Sequence, residues 1–246
     1  MIYFITYGDQ NYLSSKQRIV KEAINCGYLD HVQAYGREDL PEDFIKKTEP
    51  YINHSRGGGY WMWKAPILLK TFEKMNDGDY CVYVDCGCTV NPQGKERLHE
   101  FLKMIDNTES GIFRYEHVGT EEHWHTNSKV FEFFGKLDDM DFRKRDILMA
   151  GVLIFKKNKN SQRYLERLLE ITQTAPYLFS DEYNDYKKYE KNQVHRHDQS
   201  VSSCLVKLEV KDPVIVSDET YSPDYDGWMH LFNVVKVPFL ATRIRG

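Results

Sequence analysis

Apolar and polar positions fall in blocks along the chain, and the blocks change period in a regular order. Ile2 to Tyr7 are β-branched and aromatic, a strand signature; the polar "GDQNYLSS" then leads to Lys16 to Asn25, where Ile19, Val20, Ala23 and Ile24 share a helical face. His31 to Gly36 predicts a second strand. "REDLPEDFIKKTEPYINHSRGGGY" carries turn signals and short helical patches. Trp61 to Met75 returns to helical spacing, with Pro66 in a first turn or at a kink. "DGD" punctuates the chain before "YCVYV" (Tyr80 to Val84), a strand that turns Val82 and Val84 to one face and Tyr83 to the other.

The alternation continues in the second half. Glu96 to Ile105 predicts a helix, "SGIFRYE" a strand and Ser128 to Phe134 a short helix. "DILMAGVLIFKKN" (Asp146 to Asn158) is a second strongly apolar strand, followed by an amphipathic helix from Ser161 to Thr172 with a serine cap. The tyrosine-rich, charged stretch from Phe179 to Asp198 predicts a surface loop, and Val214 to Gly246 predicts short strands and turns. Strands alternating with helices predict a single α/β domain over residues 1–246, with a mostly parallel central sheet flanked by helices.

Composition narrows the function classes. The chain has 246 residues, 41% of them hydrophobic, and a formal net charge of -4, which gives no overall field to attract nucleic acid. Its five cysteines, Cys26, Cys81, Cys86, Cys88 and Cys204, are odd in number and irregularly spaced, which argues against a disulfide framework and for a reducing cytoplasm. "MIYFITYGDQ" has no basic flank or cleavage site and is expected to be a strand, not a leader. No apolar run approaches the roughly 20 residues that span a bilayer, so any membrane association is expected to be peripheral.

The chemistry concentrates where strands end. In an open α/β sheet, ligands bind beyond the carboxyl ends of the strands, and the apolar run of Tyr80 to Val84 delivers Asp85 there, with Gly87 allowing close backbone approach. Cys86 and Cys88 offer two thiolates, short of a tetrahedral zinc site, and small apolar packing is the plainer reading. Arg56 with Gly57, Gly58 and Gly59 reads as a diphosphate-contacting loop or a plain hinge. Tyr60, Trp61, Trp63 and Lys64 offer stacking faces and a cation, though aromatics at helical spacing usually belong to a core. Asp198 reads as a helix cap or an acid–base group. "EEHWHTN" and "HRH" are two histidine-rich stretches able to share a metal if they meet.

Four stretches carry a resemblance. "GDYCVYVDCGCTVN", "RGGGYWMWKAPILL" (Arg56 to Leu69), "MAGVLIF" (Met149 to Phe155) and "HDQSVSSCL" (His197 to Leu205) are, in order and separation, similar to segments of nucleotide-sugar-dependent glycosyltransferases of the GT-A fold, of the bacterial and viral polysaccharide type. The match runs over almost the whole chain. The pattern departs at Gly87, where the family usually has the second carboxylate of Asp-x-Asp.

The resemblance implies a GT-A-like fold and transfer of a hexosyl or pentosyl group from a nucleotide-diphosphate sugar, UDP being the commonest nucleotide, to a glycan or glycolipid hydroxyl. It implies a divalent cation, Mn²⁺ or Mg²⁺, held by Asp85 with His230 of "GWMHLF". On the donor side it implies Tyr7, Gly8, Arg56, Tyr60, Trp63, Lys64, Asp85, Cys86, Gly87, Ala150 and Gly151. It implies Asp198 and Asp85 as the catalytic carboxylates, with His197 of the same segment on the acceptor side, while Trp124, between the histidines of "EEHWHTN", reads as a platform for an acceptor sugar. Arg243 and Arg245 are further candidates for phosphate contact. Two rivals stay open: a catalytically silent glycan- or nucleotide-binding module on the same fold, and a nucleotidyltransferase.

Overall fold

The computed structural model describes residues 1–183 and 194–244. Part of the polar stretch from Phe179 to Asp198, residues 184–193, and Arg245 lie outside the described residues. Eight strands form: β1 (Ile2–Tyr7), β2 (His31–Tyr35), β3 (Tyr80–Val84), β4 (Thr89–Val90), β5 (Ile112–Glu121), β6 (Asp146–Lys156), β7 (Val214–Ser217) and β8 (Phe239–Leu240). Six of them make the central sheet in the order β2-β1-β3-β6-β5-β7, and β4 pairs separately with β8. β1 is parallel to both β2 and β3, β5 is parallel to β7, and β6 lies antiparallel between β3 and β5. The expected α/β class with a mostly parallel sheet and flanking helices holds, and β6 alone runs against the other strands.

That reversal matters for the site. Val84 pairs with Val152, and the ladder extends one bond further, from the Asp85 N–H to the Gly151 carbonyl at 2.8 Å. The carboxyl end of β3 thereby lies against the small-residue middle of β6.

The two faces of the sheet bury different sets of side chains, as the period of two in β3 requires. Val82 and Val84 pack with Ile19 and Ala23 of the Leu13–Asn25 helix and with Leu98, Phe101 and Ile105 of the Lys95–Asp106 helix. Cys81 and Tyr83 pack on the opposite face with Ile67, Leu68, Leu165 and Val201, from the Lys64–Phe72, Lys159–Thr174 and Asp198–Glu209 helices. Burying each such side chain contributes roughly 2 kcal/mol.

Several boundaries differ from the sequence expectation. The helix expected over Trp61 to Met75 spans Lys64–Phe72, with Pro66 in its first turn, because Trp61 takes a left-handed backbone (φ +59°) that ends the preceding turn. The Lys159–Thr174 helix is capped by Asn158 and not by Ser161; the Asn158 side chain accepts from the Asn160 and Ser161 N–H groups, and the Ser161 hydroxyl accepts the Asn158 N–H. The tail adds a Tyr225–Met229 helix and a π-helical turn, His230–Val235, to its short strands. Among the described residues no helix is long and apolar enough to cross a membrane.

Candidate active site

The site starts from the ends of β1 and β3. Beyond β1, Gly8 is buried and Asp9 caps a short turn through the Asn11 N–H. Tyr7 and Trp63 stack face to face, with ring centroids 3.8 Å apart, and both are buried. Trp63 is fixed further by its indole N–H, which donates to the Gly57 carbonyl at 2.9 Å. These two aromatics form a floor, since one face of each is already covered by the other. Tyr60 is buried as well, stacked on His54, whereas Trp61 stays half-buried and stacks on His197.

The glycine loop is a built turn. Gly57, Gly58, Gly59, Tyr60 and Trp61 all have positive φ, a left-handed run that needs glycine at its tightest points. A Cβ on Gly59 would stand 2.6 Å from the Ile52 carbonyl oxygen. The N–H groups of Gly58, Tyr60, Trp61 and Met62 are bonded to carbonyls inside the turn, so few of its backbone donors remain for a ligand. Arg56 points to the rim, where it pairs with Asp181 at 3.1 Å.

The central feature is a buried lysine between two carboxylates. Lys64 Nζ lies 2.7 Å from Asp198 Oδ2, 2.8 Å from the Ala150 carbonyl and 3.5 Å from Asp85 Oδ1. Asp198 and Ala150 accept two of the ammonium's three N–H groups, and Asp85 stands at ion-pair distance. Burial works against the charged lysine, but the Asp198 and Asp85 carboxylates overcome it and hold its pKa above the usual lysine value. For Asp198 burial dominates over the pull of Lys64, and its carboxyl is pushed up to about 6.

Asp198 is the first residue of its helix, and its carboxylate turns to Lys64 instead of serving as the side-chain cap. The preceding His197 adopts φ +53° and ψ -117°, a conformation that costs of order 1–3 kcal/mol for a non-glycine residue. Its Nδ1 donates to the Phe179 carbonyl at 2.7 Å, which fixes the tautomer and leaves Nε2 as an acceptor; that atom is buried without a hydrogen-bond partner. Burial pushes the His197 imidazole down to about 4, so it is neutral near pH 7.

Asp85 sits in the turn after β3, and the Tyr83 hydroxyl donates to its Oδ1. A Cβ on Gly151 would lie 3.2 Å from Asp85 Oδ2, so the glycine keeps the space in front of that oxygen clear. On the other side, Gly87 accepts the Ile244 N–H at 2.9 Å, which lays the C-terminal segment over the turn. The Arg18 guanidinium pins the turn from below through the Cys86 and Cys88 carbonyls, at 3.0 and 2.8 Å. The two thiols themselves pack in the apolar cluster, and burial pushes Cys86 up to about 12.

The residues do not fit a protein-built site for a divalent cation. Asp85 supplies one carboxylate with an oxygen already taken by Tyr83 and Lys64, and His230 is exposed on the π-helical turn. Among the described residues no group of three His, Cys, Asp or Glu is placed to hold a metal ion. The two histidine-rich stretches do meet, but as packing: the Asn127 N–H donates to His195 Nδ1 at 3.3 Å, and the Arg196 N–H to the His125 carbonyl at 2.9 Å. Trp124 lies half-buried in the Glu122–His125 turn that makes this junction.

No protein-family model and no curated protein sequence matches the chain. Solved structures do resemble it, and they are glycosyltransferases. A glycosyltransferase involved in glycosylating the major capsid of PBCV-1 aligns at 13% identity over 97% of this chain and 92% of its own, with a TM-score of 0.49. Glycosyltransferase GlyE of Streptococcus pneumoniae TIGR4 aligns at 14% identity over 98% of this chain and 54% of its own, at 0.44. The galactosyltransferase LgtC, solved with donor and acceptor sugar analogs, aligns at 12% identity over 99% of this chain and 84% of its own, at 0.46. At such values the functional reading rests on the side chains of the site.

Of the residues expected from the sequence, Lys64, Asp85, Ala150, Gly151 and Asp198 come together directly, with Gly87 adjoining through the same turn. Tyr7, Tyr60 and Trp63 form the buried floor. Sequence reasoning missed Arg114, fully buried beneath the site with its guanidinium on the Met149 carbonyl (3.0 and 2.8 Å) and Ser202 Oγ (3.2 Å). Its signal was present: a charge in the middle of "IFRYE" has to be satisfied inside. Lys64, Asp198 and Ser202, the last of which accepts from Arg114, edge a small cavity walled by Leu68, Leu153 and Phe155 and roomy enough for about one water.

Proposed function

We propose that this protein is a glycosyltransferase that moves a sugar from a nucleotide-diphosphate donor, a UDP-sugar first among the candidates, to a hydroxyl of a glycan or glycolipid. The observation that carries the reading is the pair of carboxylates, Asp85 and Asp198, tied by one buried ammonium at the carboxyl ends of the strands beside Gly151. Oδ2 of Asp85 faces the space cleared by Gly151 and is set to accept hydrogen bonds from hydroxyls of a donor sugar. Tyr7 and Gly8 lie at the end of the neighbouring β1, the nucleoside side.

In the transfer the acceptor oxygen bonds to the anomeric carbon, the bond from that carbon to the diphosphate oxygen breaks, and the acceptor proton leaves its hydroxyl. Asp198 takes that proton in an inverting reaction, or orients donor and acceptor in a retaining one. Lys64 holds Asp198 in place and favours its ionised form. The neutral His197 stacks on Trp61 immediately before Asp198, where it holds the turn that presents the carboxylate. A divalent ion carried in with the donor would offset charge on the leaving diphosphate, with Asp85 the one carboxylate near enough to touch it.

A panel of nucleotide-sugars tested by thermal shift, with and without Mn²⁺, checks the reading, because a ligand of the folded state raises apparent stability. One donor should raise Tm and release free nucleotide when a glycan acceptor is added. A panel in which every donor leaves Tm unchanged would remove the transferase reading.

A further inference from the structure

The C-terminal part of the chain leaves a group of aromatic rings uncovered beside the site, and none of them has a role above. Tyr221 is 48% exposed and Tyr225 74%, and no residue of the Tyr225–Met229 helix or of the His230–Val235 turn is buried. Large apolar side chains left together in water mark a binding surface. The Tyr221 ring and the half-buried Trp228 ring meet edge to face, with centroids 5.7 Å apart and planes at 88°. Tyr225 stands three residues before Trp228, on the same side of the helix.

The rings are fixed, and they are fixed at the site. Asp218 Oδ2 pairs with His117 Nδ1 at 2.9 Å, its Oδ1 accepts the Thr220 hydroxyl at 2.7 Å, and the Thr220 carbonyl accepts the Ala241 N–H at 2.7 Å, so the segment that ends in Tyr221 is tied on three sides. A Cβ on Gly227 would collide with Ser222 Oγ; the glycine lets the helix close on the chain there, which sets Trp228 against Tyr221. Arg243 lies 5.5 Å over the Tyr221 ring, and its Cα is 3.6 Å from the place of a Cβ on Gly87, in the turn after Asp85. On the other flank Thr220 Oγ1 lies 3.5 Å from Met149 Sδ, and Met149 Cε lies 3.1 Å from the place of a Cβ on Gly151. Two separate lines of contact thus join Tyr221 and its neighbour Thr220 to the surroundings of the Asp85 carboxylate.

We infer that Tyr221, Tyr225 and Trp228 form an acceptor-binding surface, on which sugar rings of a glycan lie next to the ring that receives the transferred sugar. The inference rests on the glycosyl-transfer reading for the identity of its ligand. A pyranose presents a face of C–H bonds that packs on an aromatic ring while its hydroxyls stay in water, so a rigid, exposed ring pair suits a sugar without a deep pocket. Continuity with the Asp85 turn places such a glycan where its end reaches the site. Charge decides against a bilayer as the occupant. Across residues 224–236 Asp224 and Asp226 stand against the single ammonium of Lys236, without the cluster of lysines and arginines that draws a protein to anionic headgroups.

The test uses the full chain on an array of α- and β-linked glycans, from single sugars to hexasaccharides, with phosphatidylcholine/phosphatidylglycerol vesicles as a second probe and the variants Tyr221→Ala, Trp228→Ala and Trp228→Phe. At least one oligosaccharide should be retained about tenfold more tightly than its monosaccharide. Either alanine variant should weaken that binding by about tenfold, and Trp228→Phe, which keeps a ring, by about threefold or less. The substituted rings lie outside the core, so Tm should stay within about two degrees, which separates lost binding from lost folding. With the retained glycan as acceptor, KM should rise in step while kcat stays within about twofold. An array that retains nothing, equal binding of monosaccharide and oligosaccharide, or glycan binding unchanged in both alanine variants overturns the surface. Vesicle binding that the alanine variants abolish, with no glycan retained, overturns it in favour of a membrane. Nucleotide release from a donor is read separately on the unsubstituted chain. Release without ring-dependent glycan binding keeps the transferase and removes the surface; ring-dependent binding with no donor turned over keeps a glycan-binding surface and removes the transferase.

Discussion

Lys64 and Asp198 are both buried, and each is tolerable because of the other. Removing one partner of such a pair leaves a charge with nothing to offset its lost hydration, which typically costs about 3–5 kcal/mol. Asp198→Asn is milder, since the amide oxygen still accepts from Lys64, and should cut turnover by about 10²-fold or more while donor affinity, measured by calorimetry, changes little. Burial keeps a proton on Asp198 up to about pH 6. Between about pH 4, where an unfolded aspartate releases its proton, and pH 6 the folded chain binds the extra proton, so stability should fall as pH rises through that window. Activity should move the other way, with kcat/KM climbing as pH passes about 6 and the carboxylate becomes ionised. A flat profile between pH 5 and 8 would take proton transfer away from Asp198. The sequence made Asp85, Lys64 and Asp198 visible because each sits in a short motif. Arg114 was hidden inside a strand, and its partners Met149 and Ser202 lie 35 and 88 positions away, where no local pattern connects them to it.

The strands were the most legible elements, because β1, β3 and β6 are apolar runs bounded by turn residues. What periodicity could not show was the direction of β6, which depends on how the long connection returns the chain and not on the composition of the strand. The glycine run was legible as a loop but not as a rigid turn, since the reason for Gly59 lies in the Ile52 carbonyl, which the sequence does not place beside it. This gives a test at the scale of the element. Gly78 also has positive φ (+91°) but open space around it, so Gly78→Ala should cost about 1–2 kcal/mol, the backbone penalty alone. Gly59→Ala adds a collision with backbone 2.6 Å away and should cost at least about 3 kcal/mol, with donor affinity falling too because Trp63 is tied to the same turn. Equal losses in denaturant midpoint for the two variants would mean that the turn yields easily and does not define the floor of the site.

Across the whole molecule, one helix connects the site to the far side of the core. Asp198 anchors the first turn of the Asp198–Glu209 helix through Lys64, and Lys207 anchors its last turn through Glu122 at 2.7 Å, in a pair whose side chains are almost fully buried. Glu122 also accepts from the Ser203 hydroxyl and from Thr126 Oγ1, which joins the short turn carrying Trp124 to the same helix. The charges agree with the helix dipole at both ends, negative at the first residue and positive in the last turn. The two anchors are about 14 Å apart along the axis, nine residues at 1.5 Å each, so stability and chemistry can be separated. Glu122→Gln should lower stability by about 3 kcal/mol while nucleotide release per folded molecule stays near normal, because its loss leaves the site end of the helix pinned. Lys64→Met should lower both. Adding Asp198→Leu to Lys64→Met removes the orphaned carboxylate, and the double variant should regain stability over Lys64→Met by denaturant melt while remaining inactive. If it instead recovers turnover, the lysine–carboxylate pair is structural and the chemistry belongs elsewhere in the cleft.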